Sequence, residues 1–197
     1  MIDRVIALGG TIQFRADAGA ASDQKRVDDV REISFASRSQ PRARQSSPTY
    51  VVDDISALVH FENLESLDLR GTQATDLAPL AELKSLKKLV TKNHVPDCDI
   101  SSIATLVALE ELDLGATEVS DLTPLQHLVN LRKLRLRLRP DFDPTPLRQL
   151  KNLDLIEFVP SIDSSPQIPH MVFLKRINEE LGDSLPHCKF EIGKGDP

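Results

Sequence analysis

Two pairs of side chains carry the residue types that chemistry most often uses. In HVPDCD, His94 stands four residues before Cys98, and His187 is followed directly by Cys188. An imidazole near a thiol can raise a thiolate nucleophile, or can supply two ligands to zinc. Neither pair completes a site. Structural zinc takes about four ligands, and the side chains of adjacent residues tend to point apart. The chain has no P-loop, no G-x-S-x-G, no HExxH and no paired CxxC. No catalytic residue, cofactor or metal ligand is assigned, and the chain is read as not an enzyme.

The other available chemistry is recognition by charge. RKLRLRLRP, from Arg132 to Pro140, is the basic candidate. It lacks the interleaved aromatics on which single-stranded nucleic acid stacks. The chain's net charge is −6 over 197 residues, and its pI is about 5.4. Nucleic acid and anionic membranes both reward clustered Lys and Arg, so neither is expected as the main partner. An acidic protein surface suits this run better.

A repeat positions these charges. Of 28 Leu, 24 lie between Leu58 and Leu155, Trp is absent and aromatics are 4%. LESLDLRGTQATDLAPLAELKS starts at Leu64. LKKLVTKNHVPDCDISSIATLVA starts at Leu86 and has one extra residue. LEELDLGATEVSDLTPLQHLVN starts at Leu109, LRKLRLRLRPDFDPTPLRQLKN at Leu131, and LDLIEF at Leu153 opens another unit. A fixed period of about 22 marks a solenoid. In L-x-x-L-x-L the last two Leu alternate and share one face of a short strand. Leu112 and Leu114 go inward, while Glu111, Asp113 and Gly115 go outward. The chain turns at Thr72 and Thr117, whose buried hydroxyls can satisfy the bend. On the return leg Asp121 can cap a short helical turn, and Pro124 sits early in it. Leu122, Leu125 and Leu128 then face the same core.

These residues, above all LDLRGTQATDLAPLAEL and LDLGATEVSDLTPLQHL, resemble the leucine-rich repeat in its bacterial 22-residue, internalin-like form. The resemblance covers roughly residues 50–158. It departs from the common pattern where Thr72 and Thr117 replace Asn, and around Val95–Asp99, where the second copy loses Pro and gains a residue. It implies an α/β fold, a leucine-rich-repeat solenoid. A parallel β-sheet lies on the concave face, short helices or 3-10 turns on the convex face, and both ends are capped. It also implies protein binding.

Three divisions are expected. Residues 1–49 form an N-terminal cap with an irregular first repeat and an exposed polar, basic loop at 37–49. Residues 50–159 are the repeats. Residues 160–197 form a C-terminal cap with an amphipathic helix at about 168–181 and a last short strand in KFEIG. Asp54, Ile55, Leu58 and Phe61 match Asp76, Leu77, Leu80 and Leu83 one step on, and Val30, Ile33 and Phe35 match a displaced strand half. Gly9 and Gly10, between two apolar runs in VIALGGTIQF, signal a hairpin or strand cap.

The outward strand positions are the candidate partner site: Asp68, Arg70, Lys88, Lys92, Glu111, Asp113, Lys133, Arg135, Arg137, Leu155 and Glu157. Charge signs alternate from coil to coil, which suits cross-strand ion pairing and a selective charged surface alike. Leu155 and Val159 are expected to be exposed beside the basic row as an apolar anchor. Two distant Cys make no disulfide framework. The N-terminus has no long apolar run, and no stretch approaches the ~18 apolar residues of a membrane helix. A cytoplasmic protein, monomeric on its own, is expected to bind another protein as an interaction module, possible forms being an inhibitor or immunity-type protein. The rival expectation is a substrate-recognition subunit of an enzyme complex, and a weaker one is a nucleic-acid binder using Arg135, Arg137 and the Arg42/Arg44 loop.

Overall fold

The structure, a computed structural model, describes residues 2–7, 10–14, 27–36, 52–70, 72–91, 98–115, 117–137, 143–160 and 170–193. One 8-stranded sheet runs in chain order. Its strands are β1 (Thr11–Phe14), β2 (Val30–Ser34), β3 (Ser66–Asp68), β4 (Lys88–Val90), β5 (Glu111–Leu114), β6 (Lys133–Arg137), β7 (Leu155–Val159) and β8 (Lys189–Ile192). The first pair is antiparallel and every later pair is parallel. The 22-residue step has one physical result. It sets Leu67, Leu89, Leu112, Leu134 and Ile156 side by side in register, each at most 2% exposed. Burial of such a column is the main force holding one coil on the next.

The return legs are 3-10 turns at Ser56–His60, Ala78–Glu82, Ser101–Thr105, Thr123–His127 and Thr145–Gln149. Each is preceded by an Asp. Asp54, Asp76, Asp99, Asp121 and Asp143 all accept the backbone N–H two residues on, at 2.8 Å. The sequence suggested that Asp121 itself would cap the turn. Instead Leu122 takes the cap position (φ −90°, ψ 0°) and drops its side chain into the core. Asp121 reaches over it as an Asx-turn. Pro79, Pro124 and Pro146 stand at the start of their turns, where an amide N–H would have no helical partner.

The Thr hydroxyls behave as expected at the bends. Thr72 Oγ1 donates to Leu69 O at 2.8 Å. Thr117 Oγ1 lies 2.9 Å from Thr91 Oγ1, and Thr91 Oγ1 donates to Asp113 O at 3.2 Å. Thr91 was not foreseen. It replaces Leu in the column of Leu69, Leu114 and Leu136 and is 2% exposed. The missed signal is that LKKLVT carries Thr where its neighbours carry the third Leu.

At the N-terminal end the hairpin expectation is half right. β1 does cover the edge of β2, but the apolar run before it is a helix, α1 (Ile2–Ala7), not a strand. Val5 is 1% exposed in the core, and Gly10 N–H returns to Val5 O at 2.9 Å. A Cβ on Gly10 would stand 2.7 Å from Val5 Cγ1, so this close approach needs glycine. At the other end, α2 (His170–Leu181) buries Phe173, Ile177 and Leu181. Phe173 meets Phe158 edge to face at 4.9 Å between centroids. The 37–49 loop, Lys92 and His94 lie outside the described residues.

Candidate functional site: the outward face of the sheet

Outward side chains from β2 to β7 line one groove of about 540 Å³ that crosses the strands, from Glu32 to Glu157. It is built by the period-2 alternation of each strand and the coil-to-coil register. Lys88, Glu111, Lys133 and Leu155 form one column, and Asp68, Val90, Asp113, Arg135 and Glu157 form the next.

The charges in these columns close on one another. Lys88 Nζ and Lys133 Nζ both reach Glu111, at 3.1 and 2.9 Å. Arg135 bridges Asp113 and Glu157, at 3.3 Å to each. Arg70 folds back onto Asp68 at 2.6 Å. The hydrogen bond from Lys133 is the largest influence on Glu111 and holds its carboxyl below the usual range, against partial desolvation and with further help from Lys88. Arg137 turns toward Glu118 at 3.9 Å, its side chain 10% exposed. The described cations of the basic run, Arg132, Lys133, Arg135 and Arg137, thus each lie within 4 Å of a carboxylate of the same chain.

Of the eleven candidates, ten are described. Asp68, Arg70, Lys88, Glu111, Asp113, Lys133, Arg135, Leu155 and Glu157 share the groove, and Arg137 stands beside it among Thr117, Val119 and Leu136. Leu155 is half-buried there. Val159 is a correction: it is 5% exposed, not an exposed anchor. Its side chain leans toward Gly115, where an added Cβ would stand 2.8 Å from Val159 Cγ2. The absence of a side chain at Gly115 is what lets Val159 bury itself. Val90 and Leu155 remain as the half-buried apolar patches among paired charges.

A second ladder was missed. At the residue before each strand from β3 to β7, Glu65 accepts a hydrogen bond from Lys87 at 2.7 Å, and it also pairs with Arg31 of β2 at 3.6 Å. Arg132 meets Asp154 at 3.3 Å. Lys87 is held more basic than usual, first by the Glu65 hydrogen bond and also by Glu110. The signal was legible in the second position of L-x-x-L, which reads Glu65, Lys87, Glu110, Arg132, Asp154.

Of the two His–Cys pairs, the structure describes Cys98, His187 and Cys188, and His94 lies outside the described residues. Cys98 is buried, and that burial, with Asp99, pushes its thiol up. The Cys188 thiol is pushed up to about 11 by burial, against a backbone hydrogen bond. Both are thus held as thiols, the opposite of an activated nucleophile. Among the described residues no group of three or more His, Cys, Asp or Glu is placed to hold a metal ion, and no helix is long and apolar enough to cross a membrane.

The sequence matches no protein-family model and no curated protein. Solved structures do resemble it. Internalin C2 of Listeria monocytogenes is 28% identical over 72% of this chain and 57% of its own, with a TM-score of 0.56. The internalin inlF of the same organism is 20% identical over 76% of this chain and 54% of its own, with a TM-score of 0.52. The chain thus spans a little over half the length of either.

Proposed function

We propose that this leucine-rich-repeat chain, whose repeats are of the internalin type, is a non-enzymatic protein-binding module that holds a folded partner on the outward face of its sheet. The observation that carries the proposal is the groove itself, whose charged lining is held in place by its own ion pairs. A preformed surface loses little side-chain freedom on binding. Its charges select a partner by complementarity, and Val90 and Leu155 supply the apolar contacts that charged rims lack. An inhibitor or immunity-type role, masking an enzyme or toxin, is the specific form we favour. Two free cysteines fit a reducing compartment such as the cytoplasm.

The test uses two substitutions that the chain itself can accommodate. Val90 lies in register between Asp68 and Asp113, so Val90→Arg gains acidic neighbours. Leu155 lies between Lys133 and Lys189, so Leu155→Glu gains basic ones. Affinity capture from native extract, read by mass spectrometry, should return one protein on the wild type that is lost on the folded double variant. Equal capture by both would remove the outward face as the binding site.

A further inference from the structure

The ion-pair net of the outward face stops at β8. From β3 to β7 each charged outward side chain of the groove has an oppositely charged partner. On β8, Lys189 lies in register with Leu155, and Glu191 with Glu157, a like charge. Among the described residues neither Lys189 nor Glu191 has an ion-pair partner. The inward side breaks off at the same place. Phe190 and Ile192 are only half-buried, whereas their register neighbours Ile156 and Phe158 are fully buried. A groove of about 520 Å³ lies between β8 and α2, with Met171, Leu174 and Phe190 in its lining, and Met171 is 78% exposed. Among the described residues β8 has one strand neighbour.

We propose that a second copy of this chain covers this end. Strand β8 of each copy pairs antiparallel with the other, with Phe190 on the two-fold axis and Lys189 of each copy against Glu191 of the other. Backbone direction and charge both select this arrangement. Lys189 N–H and Gly193 N–H bond to Asp154 O and Phe158 O on β7. By strand alternation, Phe190 and Ile192 present their N–H and C=O to the free side. Inward residues must face inward residues across the new edge, so the pairing can centre on any residue of β8, 189, 190, 191 or 192. Centring on 192 sets Glu191 against Gly193 and forms no Lys–Glu pair. Centring on 189 sets Lys against Lys, and centring on 191 sets Glu against Glu. Centring on Phe190 makes Phe190 a hydrogen-bonded pair with its own copy and gives two Lys–Glu pairs on the outward face. It also brings Cys188 of one copy beside Ile192 of the other, extending both cores across the axis. Self-complementarity of this kind is what a two-fold interface requires, and pairing removes an exposed strand edge.

The test is sedimentation of the full chain over a range of concentrations, with the two charges reversed singly and together. The wild type should form a dimer. Lys189→Glu alone and Glu191→Lys alone should each weaken it by about tenfold or more, which is ~1.4 kcal/mol. The double variant Lys189→Glu/Glu191→Lys should restore it, because the opposite charges again meet across the axis. Glu191→Lys separates an interface from a damaged fold, since within one chain it trades a like charge beside Glu157 for an opposite one, and a dimer weakened by it is not explained by a weakened β8. A wild type that stays monomeric at every concentration overturns the proposal, leaving the edge to another part of the chain or to another protein. A dimer indifferent to both reversals overturns it equally, because the copies then meet elsewhere.

Discussion

Asp113 on β5 and Glu191 on β8 stand in the same column of the outward face, two acidic side chains on one parallel sheet. Asp113 has Arg135 on the next strand at 3.3 Å. Glu191 has Glu157 on the strand before it. The inward residues beside them differ in the same way: Leu112 is 2% exposed, and Phe190 is half-buried. Both strands pair in parallel within the one sheet. What differs is the coil beyond. In the middle of a solenoid each side chain is completed by a neighbour about 22 residues away, so stability there is cooperative between coils. At β8 the same chemistry is left half satisfied, and the proposed pairing with a second copy would complete it.

The largest effect should come from breaking the middle. Leu112→Ala removes a fully buried side chain from the central column and should cost about 2–5 kcal/mol in urea unfolding. Phe190→Ala, measured at low concentration, should cost roughly half of that or less, because part of the ring is already in water. Equal costs would erase the contrast.

A smaller effect should come from the buried hydroxyl pair. Thr91 Oγ1 donates to Asp113 O, so the Thr117 hydroxyl donates to Thr91. Thr117→Val leaves that acceptor without its donor and should cost ~1–2 kcal/mol. Thr91→Val/Thr117→Val should cost less than the sum of the single changes, a coupling that a double-mutant cycle reads directly. Strict additivity would mean that the two hydroxyls are not acting together.

The smallest effect is a pH dependence confined to the repeats. Asp99 is held below the usual carboxylate range first by the Ser101 backbone N–H, and Asp121 and Asp143 first by the Thr123 and Thr145 side chains. A carboxyl depressed in the folded state stabilises above its unfolded pKa, and that stability is lost as pH falls through the folded value. The melting temperature should therefore drop below about pH 4. Asn at all three positions keeps an acceptor but removes the titration, and should flatten the acid limb. An unchanged acid limb would assign the loss to other carboxylates.

Most of the fold was legible because the repeat states it several times. Leu67, Leu89, Leu112 and Leu134 announce the same inward column, and Lys88, Glu111 and Lys133 announce the same outward one. What failed was local and singular. The α1 segment has one copy and no periodic partner, so its apolar run read equally well as a strand. Val159 looked outward by alternation, but its burial depends on Gly115 two strands away. Alternation did place nine of the described candidates on one face of the sheet, along a common groove. Their pairing geometry was not legible, because alternation of sign fits both a free charged surface and a closed one. Distances of 2.9–3.3 Å among Lys133, Glu111, Arg135, Asp113 and Glu157 settle it as closed.

The contrast between a closed middle and an open end is tested most directly by amide hydrogen exchange at two protein concentrations. The amides of β4 to β6 should exchange slowly and at the same rate in both. The amides of Phe190 and Ile192 should exchange quickly in the dilute sample and become protected in the concentrated one. Protection of Phe190 and Ile192 that is the same at both concentrations would contradict the account.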